Sequence, residues 1–149
     1  MNTFHVSLEV ADIPTAVESY RKILGIEPTK LHPEYAKFEI ADPPVILSLV
    51  PGVPGRLSHL GIRYPSTGDV VSELVRVRNQ AMDVLEQKDV TCCYASADKF
   101  WVRDADDVRW EMYAVKADAD TFAGAPAVSA DAPDVAPANA ACSCTSPGS

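Results

Sequence analysis

"YAKFEIADPPVILSLV" (residues 35–50) and "ADKFWVRDADDVRWEMY" (residues 97–113) share one pattern: Lys-Phe, a β-rich pair, an Asp-containing turn and a second strand. Lys37 and Lys99 stand 62 residues apart, as do Asp42 and Asp104. Ahead of each hairpin lies a short strand with a single histidine, "TFHVSLEVAD" with His5 and "RLSHLGIRY" with His59, at an offset of 54. A helix follows each of these strands. The first is capped by Asp12, presents Ala16, Val17, Tyr20 and Leu24 on one face, and ends at Gly25. The second has Ser66 or Thr67 as cap and Val70, Val71, Leu74 and Val77 as its apolar stripe. The eight extra residues of the second copy fall between its helix and its Lys-Phe strand, where Cys92 and Cys93 lie.

The chain thus reads as a tandem duplication of βαβββ modules, an α+β fold with a curved mixed sheet. Module 1 covers about residues 1–52 and module 2 about 56–116. Alternation assigns the faces, because side chains two apart in a strand point the same way. Phe4, Val6, Leu8 and Val10 share a face, as do Ala36, Phe38 and Ile40, Leu60 and Ile62, Phe100 and Val102, and Trp110 and Met112. The helices cover these faces. The opposite faces carry His5, Ser7, Glu9, Lys37, Glu39, His59, Arg63, Lys99, Trp101, Arg109, Glu111 and Tyr113, which a curved sheet gathers into a cup.

Composition narrows the function. The formal charge of −8 opposes binding to nucleic acid or anionic membrane, which need basic patches. No segment has the length and apolarity of a membrane span or the flanks of a signal peptide, so a cytoplasmic location is expected. Half of the net charge falls in residues 117–149, where four Asp stand among Ala, Pro, Ser and Gly with no Lys or Arg. That stretch lacks the apolar residues that offset chain entropy, and it is expected to be a disordered tail beyond a folded unit of residues 1–116.

Pseudo-symmetry brings His5 and His59 together on the paired first strands. Glu111 joins them from the last strand; its counterpart at the 62-residue offset is Leu49, so one carboxylate is expected to have an apolar mate. Two imidazoles and one carboxylate match the facial triad of non-haem Fe(II) oxygen enzymes, which leaves positions open for dioxygen and substrate. A fourth protein ligand would favour Zn or Ni. His32, beside Pro33, is read as structural.

Cys92 and Cys93 cannot readily bridge each other across one peptide bond. They read either as two small buried residues or as two thiolates for one soft atom. Cys142 and Cys144 form a Cys-x-Cys pair in the tail, able to scavenge the same soft element or dispensable.

"TCCYASADKFWV" (91–102) with "RWEMY" (109–113), "FHVSLEVADIPTAVESYRKILG" (4–25) and "LSHLGI" (57–62) resembles the organoarsenical C-As lyases and the related cadmium-induced proteins. Both belong to the vicinal oxygen chelate superfamily, with glyoxalase I, bleomycin-resistance proteins and extradiol dioxygenases. The resemblance covers about residues 3–115, and the Cys-Cys-Tyr-Ala stretch is its specific part. It implies an Fe(II)-dependent dioxygenase that breaks the carbon–arsenic bond of trivalent methyl or aryl arsenicals, with dioxygen as co-substrate and arsenite as product. It further implies His5, His59 and Glu111 as catalytic metal ligands and Cys92 and Cys93 as the arsenic-binding thiols. "DADDVRW" departs from the Asp-Pro-Asp-Gly turn of that family, a change expected to alter the hairpin slightly and to leave the ligands in place. Two other functions compete: a soft-metal or arsenical sink that uses the thiols alone, and a glyoxalase-like metalloenzyme, which the lack of a second carboxylate base disfavours. A monomer and a homodimer are both compatible with the sequence.

Overall fold

The computed structural model of the protein describes residues 1–92 and 95–118, with the backbone alone at 89–92, 95–96 and 117–118. Its elements are β1 (Thr3–Val10), α1 (Ile13–Leu24), β2 (Lys30–His32), β3 (Tyr35–Ile40), β4 (Val45–Pro51), β5 (Leu57–Arg63), α2 (Thr67–Arg78), β6 (Val84–Cys92), β7 (Ala95–Arg103) and β8 (Arg109–Asp118). The strands form one eight-stranded sheet in the order β2-β3-β4-β1-β5-β8-β7-β6. Each half is a βαβββ module, and the halves meet where β1 and β5 pair antiparallel. Within each half the first and last strands pair parallel, β1 with β4 and β5 with β8, which makes the sheet mixed. Residues 119–149, and with them Cys142 and Cys144, lie outside the described residues, as does Cys93. β8 continues two residues past the expected limit of 116, with Asp118 paired to Ala95.

Local chemistry sets the helix limits. Asp12 accepts a hydrogen bond from Thr15 N at 2.9 Å, and Gly25 ends α1 in the left-handed conformation at φ 68°. That conformation crowds a Cβ against backbone but is open to glycine. Ser66 is the cap of α2, accepting from Asp69 N at 3.2 Å. α1 lays Ile13 and Val17 on Ala36, Phe38, Leu47 and Leu49. α2 lays Val70, Leu74 and Val77 on Phe100, Val102, Met112 and Ala114. Val71 does not join that stripe: it is 49% exposed, because one residue on from Val70 the helix has turned by about 100°.

The duplication is uneven where the sequence places its insertion. β2 has three residues and its counterpart β6 has nine, so the extra length extends the β6–β7 hairpin. Register shifts between Gln87 and Val90 and between Ser96 and Ala97 mark bulges near the hairpin's end. The β7–β8 turn is organised by its own aspartates. Asp104 Oδ1 accepts from Asp106 N and Val108 N, and Asp107 takes the positive-φ position, at 69°. The segment joining the modules is pinned by Glu9, whose carboxylate accepts from Val53 N and Arg56 Nη2. No helix among the described residues is long and apolar enough to cross a membrane.

The helix stripes give a direct comparison. Leu74→Ala is expected to lower unfolding free energy by about 2–4 kcal/mol, and Val71→Ala to change it by less than about 0.5 kcal/mol, read from urea denaturation.

Candidate metal centre

His5 on β1, His59 on β5 and Glu111 on β8 converge on the concave face of the sheet. All three are buried, and one ligand atom from each lies within 4.8 Å of the others. The imidazole rings are 5.1 Å apart at 86°. Glu111 Oε2 stands 3.5 Å from His5 Nδ1 and 3.4 Å from His59 Nε2. The antiparallel β1/β5 register, with Ser7 opposite His59 and His5 opposite Gly61, makes the two histidines neighbours. Parallel pairing of Gly61 with Glu111 then brings in the carboxylate. A Cβ on Gly61 would lie 2.5 Å from Glu111 O, so glycine permits the close approach of β5 and β8 at this point.

Each ligand has a supporting group. His5 Nε2 and Ser48 Oγ form a hydrogen bond of 2.9 Å, and His59 Nδ1 lies 3.2 Å from Ser58 Oγ. Lys99 Nζ donates to Glu111 Oε1 at 2.9 Å. Trp101 meets the His59 ring edge-on at 5.2 Å, and Tyr113 meets the His5 ring at 5.6 Å. Arg109 donates to Ser58 O and lies 6.0 Å from the Trp101 ring centre. Both aromatics are themselves buried.

Burial pushes the His59 imidazole down to about 4, despite the opposing pull of Glu111, so it is neutral at pH 7. Burial alone would raise the Glu111 carboxyl, but the Lys99 ammonium and the two imidazoles overcome it and hold the group well below the usual carboxylate range. Burial and the Glu111 charge push the Tyr113 phenol well above its ordinary value, so it stays protonated. The donor set is therefore a neutral imidazole nitrogen at His59, the His5 nitrogen facing it and an ionised carboxylate. His5 Nδ1 is buried and makes no hydrogen bond among the described residues. An orphaned polar atom of that kind costs free energy unless a ligand completes it. The set fits a divalent ion held by nitrogen and oxygen donors.

Two expected correspondences change. His5 and His59 are each followed two residues later by a position that pairs with the last strand of its own module: Ser7 with Ser48, and Gly61 with Glu111. The counterpart of Glu111 is accordingly Ser48, which faces the cup, and not Leu49, which is buried against α1. Likewise Trp101 is opposite Glu111 as Lys37 is opposite Ser48, so Lys37 corresponds to Trp101 rather than to Lys99. Ser48 escaped the sequence reading, although it is the single polar residue in the run "VILSLV". Cys92 ends β6 opposite Ala95, four residues along β7 from Lys99, a run of about 13 Å. Its side chain and Cys93 are outside the described residues.

Acid should destabilise the ion-free protein. The His59 imidazole is lowered from 6.5 to about 4 on folding, so the unfolded chain binds the extra proton across that interval. Stability is then present above pH 6.5 and lost as pH falls towards 4; the depressed Glu111 extends the loss below that. Thermal melting midpoints should fall across this window, and His59→Asn should flatten the upper part of the curve. Gly61→Ala should cost about 2 kcal/mol or more, because β8 backbone has to move, and should weaken metal binding in calorimetric titration.

Comparison with known proteins agrees with this architecture. The chain is 38% identical over 128 residues to cadmium-induced protein CadI of Mycobacterium tuberculosis, covering 85% of this chain and 84% of that one. It is 38% identical over 128 residues to the trivalent organoarsenical cleaving enzyme of Thermomonospora curvata, covering 84% and 85%. Its fold superposes on the Mn(II)-bound glyoxalase of Novosphingobium aromaticivorans with a TM-score of 0.58 at 17% identity, over 82% of this chain and 41% of that one. The family model described as Glyoxalase/Bleomycin resistance protein/Dioxygenase superfamily matches residues 3–112, and the chain belongs to that superfamily.

Proposed function

We propose that the protein is an Fe(II)-dependent dioxygenase that cleaves the carbon–arsenic bond of trivalent methyl or aryl arsenicals and releases arsenite. The observation that carries this reading is the buried three-donor cluster of His5, His59 and Glu111, with the hydroxyl of Ser48 where a second carboxylate, the fourth ligand, would otherwise stand. Three donors leave coordination positions open, whereas a fourth would serve a closed or isomerase-type site. The organoarsenical-cleaving relative at 38% identity supports the substrate class.

His5, His59 and Glu111 would hold the ion. Bound there, Fe(II) would supply the one-electron chemistry that dioxygen requires. Ser48 fixes the His5 ring with Nδ1 inward, and Ser58 does the same for Nε2 of His59. Trp101 and Tyr113 keep bulk water from the cup. Cys92 and Cys93 would grip arsenic(III) as two thiolates, which leaves only the organic substituent free to enter the cup.

A second reading is favoured by the identity to the cadmium-induced protein: the thiols sequester a soft ion and no bond is cleaved. One assay separates the two. Protein reconstituted anaerobically with Fe(II) is mixed with trivalent methylarsenical, air is admitted and arsenic species are quantified. Catalytic arsenite that requires both Fe(II) and air is the expected result; stoichiometric retention of intact methylarsenical would establish the sink. His5→Ala or Glu111→Gln should remove at least about 100-fold of the turnover and leave arsenical capture intact. Cys92→Ser or Cys93→Ser should weaken capture about tenfold or more, measured by equilibrium dialysis.

A further inference from the structure

Lys99 is 5% exposed, and lysine is seldom so deeply buried without a partner. Its Nζ reaches Glu111 Oε1 at 2.9 Å, while Glu111 Oε2 faces both imidazoles. The two oxygens of one carboxylate are thus divided between an ammonium and the metal-binding side. A lysine placed only to neutralise Glu111 would be redundant once a divalent ion arrived, because the ion carries more than the needed charge. Resting on the metal-centre reading, we propose that Lys99 is a positioning residue: it confines Glu111 to one ligand oxygen and makes the loaded centre a receptor for small anionic ligands.

Charge and geometry both lead there. With Oε1 occupied, Glu111 cannot close on an ion with both oxygens, so a coordination position that a bidentate carboxylate would fill stays open. A divalent ion brings two positive charges into a buried cup where the one carboxylate, Glu111, is already shared with Lys99, beside the half-buried Arg109 near Trp101. Unbalanced buried charge recruits its opposite. The class of ligand is a small anion with an oxygen, nitrogen or sulfur donor.

The test uses Co(II) as the ion and azide as the anion, on the full chain. Calorimetry measures Co(II) affinity, and the visible spectrum of the Co(II) protein reports azide binding. Lys99→Met is expected to bind Co(II) about tenfold or more tightly and azide about tenfold or more weakly, since it frees Oε1 and removes a positive charge. A lysine that only supports the fold predicts the reverse for Co(II), a weaker site. Lys99→Gln keeps a donor for Oε1 without the charge and serves if the Met variant does not fold; the two affinities should again move in opposite directions. Lys99→Arg should behave as the parent. Any pattern in which Co(II) affinity is unchanged or falls overturns the proposal while leaving the metal centre standing. Failure of the unsubstituted protein to bind Co(II) overturns both.

Discussion

A carboxylate kept charged out of water is the interaction on which the centre of this molecule depends. Glu111 is buried on an inner strand, and burial by itself disfavours its charged form. Three groups prevent that: Lys99 on one oxygen and two imidazoles on the other. Each comes from a different strand, β7, β1 and β5. The carboxylate can stay ionised only while all three strands keep their places, so the polar cluster and the sheet support one another.

The duplicated architecture explains why the donors meet. Antiparallel pairing of β1 with β5 sets equivalent residues side by side, which is how two histidines far apart in sequence come to have their rings 5.1 Å apart. The departures from symmetry are equally informative. Ser48 replaces the second carboxylate and turns a potential ligand into a hydrogen-bond partner of His5. β6 outgrows β2 and ends at Cys92, so among the described residues only the second module extends this hairpin. One half positions a ring with a hydroxyl, and the other supplies the negative charge.

Much of this was legible in the residues. Alternation in "TFHVSLEV" and "RWEMY" sorts inward from outward side chains without ambiguity, and Asp12 with Gly25 frames the first helix. Counting across turns is less secure. From Lys37 to its partner Ser48 the chain advances eleven residues, and from Trp101 to its partner Glu111 ten. No constant offset fits both strands of the hairpin, so an offset of 62 leaves the last strand slipped by one, and a slip of one reverses the face of every side chain. A constant offset therefore aligns Leu49 with Glu111 where Ser48 belongs. The Lys37–Lys99 match errs by two residues instead and so preserves the face. Val71 shows the same limit for a helix, since a stripe of valines does not tell which edge of it meets the sheet. The burial of Lys99 depends on the pairing of three strands and has no local signature at all.

The donors also span the chain from its first strand to its eighth. Half a site is available when β5 has formed, but the carboxylate waits on β8. During translation, a ribosome that has released only the first module and part of the second presents no complete nest for an ion. An ion held by all three donors would consequently be taken up only once β8 has emerged, and a shorter nascent chain would offer it two imidazoles alone.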